Sequence, residues 1–167
     1  MSAHHNRVFV DYNNVFFRII PLQSRYIRFD LIEITDDLPH DVANSLLGER
    51  VLKMLSVASA LEDEELPTIP LEEEYIRYKE WTKKSMSFHG YKTERTFFKD
   101  MERCCIARFR GSLTFYPLRH EKLQAWGQEK GDEKFDIILP FDSAPELIGE
   151  TLRRAFEICK TMSSGMR

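Results

Sequence analysis

The sequence has 167 residues, of which 43% are hydrophobic and 31% charged, so a single domain spanning residues 1–167 can bury a core without disulfides or a metal. It contains no uninterrupted apolar run of about 18 residues and no apolar run behind a basic N-terminus, which argues against a transmembrane helix and a secretory signal. The formal net charge of -3 argues against a protein whose main partner is a phosphate backbone, and three cysteines without a disulfide framework favour the reducing cytoplasm.

Strands are predicted in the first part of the chain. Residues 7–12 and 15–20 are rich in Val, Ile and Phe, and the two asparagines at 13–14 tolerate the left-handed conformation that a tight hairpin turn requires. Pro21 is expected to end the second strand. Residues 26–34 then alternate between apolar and polar side chains, which predicts a third strand with one exposed face.

Helical periodicity follows these strands. Apolar residues recur at three- and four-residue spacing from Leu47 to Leu61, which predicts one buried stripe on a first helix that Gly48 weakens slightly. After the proline-containing segment 67–70, a second helix is expected to bury a largely aromatic face. Its four members are Leu71, Tyr75, Tyr78 and Thr82. A short third helix is expected around residues 94–101.

The last part of the chain is predicted to form strands and a helix. Alternation on both sides of Arg110 and Gly111 predicts a second hairpin, and consecutive aliphatic residues within 135–139 predict a central strand covered on both faces. Ser143, as a hydroxyl cap, and Pro145 are expected to begin the last helix. This order of elements is typical of an α+β fold, a mostly antiparallel sheet of about five to six strands with about three to four helices packed on it.

No familiar catalytic or metal-binding spacing is present. The histidines lack a second ligand at a spacing such as HExxH, no CxxC occurs, and the phosphate-loop, dinucleotide and serine-elbow motifs are missing. We therefore expect no catalytic residue, no metal, no cofactor and no enzymatic activity. A hydrolase is the least favoured alternative; it would use Cys104 or Cys105 as nucleophile and His89 or His120 as base.

Bases and aromatic residues interleave between Tyr75 and Arg119, a composition typical of proteins that bind single-stranded nucleic acid by stacking and charge neutralisation. The same residues also fit the buried stripes and solvated faces of two helices and a hairpin. A single-stranded nucleic-acid-binding module is therefore retained as the alternative function.

Negative charge is concentrated between residues 61 and 80, a segment that contains eight acidic and two basic residues. Seven of these acids form what we call the acidic segment: Glu62, Asp63, Glu64 and Glu65, followed by Glu72, Glu73 and Glu74. The second half falls in the first turn of the second helix, where the helix dipole favours negative charge. The first half follows the end of a helix, where the dipole disfavours it, so a solvated loop and a steering surface for a basic partner both remain open.

Three blocks of the sequence point to a known family, and they are residues 89–101 (HGYKTERTFFKDM), 117–126 (PLRHEKLQAW) and 142–149 (DSAPELIG). These blocks resemble the bacterial CdiI-type immunity proteins of contact-dependent growth inhibition systems, and the LLGE motif at 46–49 is similar to the first helix of that family. The resemblance extends over most of the chain.

The resemblance implies a small cytoplasmic bacterial protein that binds and neutralises the C-terminal toxin domain of a sibling effector by stoichiometric occlusion. Such toxins are often nucleases, and a nuclease is electropositive where it holds phosphate. Carboxylates in place of phosphates would complement that groove and accelerate association. The acidic segment is therefore the predicted toxin-binding surface. The expected partner is a basic toxin domain, with no membrane partner and no direct contact with nucleic acid.

Overall fold

A seven-stranded antiparallel sheet forms the centre of the structure, a computed structural model that describes residues 6–24, 26–28 and 35–163. Its strands are β1 (Asn6–Tyr12), β2 (Phe16–Gln23), β3 (Tyr26–Ile27), β4 (Asp36–Pro39), β5 (Glu102–Phe109), β6 (Ser112–Pro117) and β9 (Ile137–Pro140). Their order is β3-β2-β1-β5-β6-β9, and β4 pairs with the same edge of β2 as β3 does. A separate two-stranded sheet consists of β7 (Arg119–Lys122) and β8 (Ala125–Gly127).

Four α-helices accompany these strands in the described part of the chain. They are α1 (Asn44–Glu62), α2 (Leu71–Phe88), α3 (Glu94–Phe98) and α4 (Pro145–Ser163). The predicted α+β class is confirmed, and the main sheet is slightly larger than expected. Among the residues described, no helix has both the length and the apolar composition needed to cross a membrane.

The first predicted hairpin is confirmed, but its second strand is longer than expected. Asn14 in the turn has a φ of 70°, which asparagine tolerates better than most residues. The prediction that Pro21 ends β2 is wrong, because the strand continues to Gln23 and Pro21 pairs with Val8 of β1. On its other edge, Pro21 lies between the segments paired with β4 and β3, where no described strand requires its missing N–H.

The sequence also predicts strands at residues 26–34 and within 135–139. Of the first, the structure describes residues 26–28, where Tyr26–Ile27 form β3, and residues 29–34 lie outside the described part of the chain. The aliphatic run within 135–139 contributes to β9, which lies at the edge of the sheet and not at its centre. Ile137 packs against the main core, whereas Ile138 points to the opposite face, which is uncovered there, and is 66% exposed.

The second hairpin and the last helix are confirmed. Arg110 and Gly111, both with positive φ, join β5 to β6. The predicted cap is wrong, because the Ser143 hydroxyl donates a hydrogen bond to the Pro140 carbonyl at 2.7 Å and caps no amide of α4. The short α3 is also present, although it ends at Phe98, before the predicted limit.

Helices α1 and α4 cover one face of the sheet and enclose the main core. α1 lies over β1 and β2, and α4 lies over β5 and β6. The predicted apolar stripe of α1 is confirmed, since its buried residues include Leu47, Val51, Met54, Leu55, Ala58 and Leu61.

Two glycines allow α1 and α4 to cross in direct contact. A Cβ on Gly48 would lie 1.8 Å from the carbonyl oxygen of Pro145, and a Cβ on Gly149 would lie 2.1 Å from the carbonyl oxygen of Asn44. No side chain fits at either position, because each obstructing atom is a backbone atom in the first turn of the other helix and cannot move aside as a side chain could. Gly48 therefore has a packing role in addition to the low helix propensity that the sequence indicates.

Helix α2 covers the opposite face of the sheet through its C-terminal half. Trp81, Ser85 and Met86 are buried, whereas Leu71 is 82% exposed and Tyr75 is 60% exposed. The stripe predicted for α2 is therefore wrong at its first two positions. The physical reason is that the first turns of α2 border an open cleft, described below, and not the sheet.

A buried ion cluster attaches α2 to the sheet. Asp11 of β1 lies between Arg18 of β2 and Arg103 of β5, and its carboxylate accepts hydrogen bonds from both at 2.9 Å and 2.6 Å. Arg18 also donates to the Ser85 hydroxyl at 3.2 Å and lies 4.0 Å from the ring centroid of Trp81. Burial raises the pKa of Asp11, but the two guanidinium groups lower it by more, so the pKa lies below its ordinary value.

Candidate functional site

The acidic segment surrounds the connection between α1 and α2. Glu62 is the last residue of α1, and the next three acids follow in the turn and the start of the connection. The other three acids occupy the first turn of α2, as the sequence predicts. The connection between the two halves contains Leu66, Pro67 and Ile69.

The first half of the acidic segment is attached to the β2–β3 hairpin. Glu62 accepts hydrogen bonds from the backbone N–H and the hydroxyl of Ser24. The Glu64 carboxylate accepts a hydrogen bond from Arg28 at 3.0 Å, and its carbonyl accepts one from the Gln23 side chain at 2.6 Å. Glu62 and Glu64 thus hold the end of α1 against the sheet. This structural role differs from both interpretations that the sequence leaves open, a solvated loop and a steering surface for a basic partner.

Four carboxylates of the acidic segment have no hydrogen-bond or ion-pair partner among the described residues, and they are Asp63, Glu65, Glu72 and Glu74. Glu73, by contrast, pairs with Arg77 at 2.6 Å. The first three of the four are exposed and Glu74 is half-buried. Because their charge is not neutralised locally, it attracts cations over about 8 Å, the Debye length at physiological salt.

An open cleft lies between β3, the α1–α2 connection and the start of α2, and we call it the β3 cleft. It has a volume of ≈ 260 Å³ and is lined by Tyr26, Ile27, Arg28, Leu66, Pro67, Ile69 and Glu74. Most of the described lining is apolar, and its two charged residues are Arg28 and Glu74. Since Glu64 pairs with Arg28, the β3 cleft brings the two halves of the acidic segment to one place.

Exposed apolar side chains adjoin the β3 cleft. Tyr26 is 61% exposed and Leu66 is 54% exposed, and Leu71 and Tyr75 project from the adjoining turns of α2. An apolar centre with a polar rim is the usual anatomy of a protein–protein interface. The sequence reasoning missed this surface because helical periodicity assigned Leu71 and Tyr75 to the core. The sequence does contain one sign that Leu71 and Tyr75 are exposed. Carboxylates are dense in the same turns of α2, and charged side chains are rarely buried.

The residues of the hydrolase alternative are not arranged as a nucleophile and its base. Burial raises the pKa of the Cys105 thiol to about 11 and that of the Cys104 thiol well above its ordinary value of 9.0, so both thiols stay protonated at neutral pH. The His89 ring hydrogen-bonds a carboxylate, and the His120 ring hydrogen-bonds a backbone carbonyl. Within the described residues, no group of three or more His, Cys, Asp or Glu residues could hold a metal ion.

The interleaved bases and aromatic residues between 75 and 119 do not form one exposed strip. Trp81 and Phe97 are buried, and Arg103 is bound to the buried Asp11. The feature that suggested single-stranded nucleic-acid binding is therefore partly in the interior, where it cannot reach a base or a phosphate.

Comparison with protein families gives a match over nearly the whole described chain. The family model for CdiI, CDI immunity protein, matches residues 6–159. Among curated proteins, Immunity protein CdiI-YPIII from Yersinia pseudotuberculosis serotype O:3 (strain YPIII) is 46% identical over 84 residues. That match covers 50% of this chain and 48% of the relative, so the chain spans about half the length of this curated protein.

Two solved structures share the fold across almost their full length. A protein of unknown function, NMB0488 from Neisseria meningitidis, has a TM-score of 0.78 at 29% identity, covering 95% of this chain and 98% of that one. A chain from the CdiA-CT/CdiI toxin and immunity complex of Yersinia pseudotuberculosis also has a TM-score of 0.78, at 30% identity, covering 94% of this chain and 98% of that one.

Proposed function

Because the chain belongs to the CdiI family of CDI immunity proteins, we propose that it binds and neutralises the C-terminal toxin domain of a cognate contact-dependent growth inhibition effector. The observation that carries the proposal is the fold match, over 94% of this chain, to a chain of a toxin and immunity complex. The family resemblance of residues 89–101, 117–126 and 142–149 is confirmed by the family match.

The proposed mechanism is stoichiometric occlusion in the cytoplasm, without catalysis by this protein. One molecule covers the working surface of one toxin domain and keeps its substrate out. We propose that the toxin is a nuclease, whose substrate groove must be electropositive to hold phosphate. Unpaired carboxylates on the inhibitor complement such a groove and increase the rate of association.

We assign the toxin-binding surface to the acidic segment together with the exposed apolar residues beside it. Of the acidic segment, Glu62 to Glu65 and Glu72 to Glu74, Glu74 lines the β3 cleft and Glu64 pairs with Arg28 of its lining, and four of its carboxylates have no partner among the described residues. The neighbouring Leu66, Leu71 and Tyr75 supply apolar area. Charge then accounts for fast association, and apolar burial accounts for slow dissociation.

Charge reversal at two free carboxylates tests this assignment. Asp63→Lys with Glu65→Lys changes exposed side chains that have no described partner, so the fold is not disturbed. We expect the association rate with the toxin domain encoded by the adjacent gene to fall about tenfold at low salt, and its salt dependence to weaken. Stopped-flow measurements at low and high salt give both quantities.

A matched control is the double variant Glu49→Lys with Glu150→Lys, which makes the same charge change on exposed helical positions. Glu49 lies about 20 Å along α1 from Glu62, beyond the screening length. If both double variants slow association equally, only net charge matters and the assignment of the surface is wrong. Unchanged association of the Asp63, Glu65 variant would refute it as well.

A further inference from the structure

The β3 cleft contains a carboxylate that the fold itself does not use. Glu74 lines the cleft and is half-buried, yet its side chain has no hydrogen-bond or ion-pair partner within the described chain. The other charged residue of the lining, Arg28, is buried and bonded to Glu64 and to the Gln23 side chain. A half-buried carboxylate loses part of its hydration, and a cationic partner compensates for that loss.

The size and walls of the β3 cleft suit one long side chain. Its volume of ≈ 260 Å³ lies below the range of about 300–1,000 Å³ that is typical of small-molecule pockets. Leu66, Pro67 and Ile69 form an apolar wall, and the largely exposed Tyr26 also lines the cleft. A side chain with an aliphatic stem and a charged head matches this lining.

The charges around the β3 cleft decide the sign of that head. Arg28 is the only cation among the described residues of the lining, and it pairs with Glu64. Glu74 inside the cleft and Glu65 beside Leu66 have no partner in the described part of the chain, so an anion would be repelled and a cation attracted. Arginine fits better than lysine, because its planar fork binds a carboxylate through two hydrogen bonds and its face stacks on an aromatic ring such as that of Tyr26.

We propose that the β3 cleft receives an arginine side chain of the toxin domain. Its guanidinium binds Glu74, and its stem packs against Leu66 and Pro67. This inference rests on the proposed function and adds to it the chemical identity of one anchor. The contact lies in a partly enclosed cleft with apolar walls, where an anchor residue contributes far more to affinity than an exposed pair at the rim does.

Affinity measurements on two cleft variants and one control test the proposal. Glu74→Gln keeps the shape of the side chain and removes its charge, and we expect it to raise the dissociation constant for the adjacent gene's toxin domain about 30-fold. Leu66→Ala is expected to raise it about tenfold. Glu80→Gln, at an exposed position of α2 outside both the acidic segment and the cleft lining, is the matched control and is expected to change it less than about threefold. Thermal unfolding of each variant verifies that the fold is intact.

A double-mutant cycle then identifies the partner residue. Each exposed arginine of the toxin domain is replaced by alanine and combined with Glu74→Gln; one arginine should show strong coupling, so that its loss costs little once Glu74 is gone. The proposal is overturned if Glu74→Gln and Leu66→Ala both bind like the wild type, or if no arginine couples with Glu74. In those outcomes the wild-type protein still binds and the proposed function stands, whereas failure of the wild type to bind the toxin domain refutes both.

Discussion

The negative charge of Asp11 stabilises the packing of α2 against the sheet. Its carboxylate is fully buried between the guanidinium groups of Arg18 and Arg103, and Arg18 continues the contact to Ser85 of α2. Replacing Asp11 by asparagine leaves the buried Arg18 and the partly buried Arg103 facing a neutral group. We expect the free energy of unfolding to fall by about 3–5 kcal/mol, measured by urea denaturation at neutral pH. The exposed Asp142→Asn serves as the control and should change it by less than about 0.5 kcal/mol.

The same substitution changes how stability depends on pH. Because the pKa of Asp11 in the folded protein lies below its ordinary value of 3.8, its ionised form stabilises the fold above that value. This contribution is lost as the pH falls through the folded-state pKa, since the protonated carboxyl no longer attracts the two arginines. The wild type should therefore lose more stability than Asp11→Asn when the pH is lowered below about 4. Parallel losses in the two proteins would contradict this assignment.

Helix packing depends on the two glycines at the α1–α4 crossing. A Cβ at position 48 would overlap the carbonyl of Pro145, so Gly48→Ala must push the helices apart despite the better helix propensity of alanine. We expect a loss of about 1–3 kcal/mol in the free energy of unfolding. Ser59→Ala, at an exposed site of the same helix, should be neutral within about 0.5 kcal/mol. An unchanged or higher melting temperature for Gly48→Ala would show that the two helices do not cross in direct backbone contact at this position.

Elements whose pattern is set by near neighbours could be predicted from the sequence. The first hairpin, the apolar stripe of α1, the hairpin at Arg110 and the last helix all follow from local periodicity and turn residues. The elements that could not be predicted depend on distant parts of the chain. Pro21 is tolerated because of where β3 and β4 pair, and the start of α2 is exposed because it borders a cleft and not the sheet.

The candidate site divides in the same way. The acidic segment is visible in the sequence as a local excess of charge. The β3 cleft is not, because it combines Tyr26 with Leu66 and Glu74, residues that only the folded chain brings together. Which carboxylates are free could not be predicted either, since Glu62 and Glu64 are bound by residues of the β2–β3 hairpin.

In the molecule as a whole, the stabilising contacts and the proposed binding surface occupy different places. The main core lies between one face of the sheet and the crossed helices α1 and α4. The acidic segment and the β3 cleft lie at the far end of α1, beside an edge strand of two residues. Substitutions at Asp63, Glu65 or Glu74, which have no partner among the described residues, should therefore change binding with little effect on the fold, whereas substitutions at Asp11 or Gly48 should do the reverse.

A titration of toxin activity tests the central claim most directly. The purified protein is added in increasing amounts to a fixed amount of the toxin domain encoded by the adjacent gene, at a concentration well above the dissociation constant. Occlusion predicts that toxin activity falls linearly and disappears at one molecule of inhibitor per molecule of toxin. Toxin activity that persists above one inhibitor per toxin would contradict the account, because the toxin would not be neutralised by occlusion. Complete loss of toxin activity at far less than one inhibitor per toxin would contradict it as well, because one inhibitor molecule would then be inactivating many toxin molecules by catalysis.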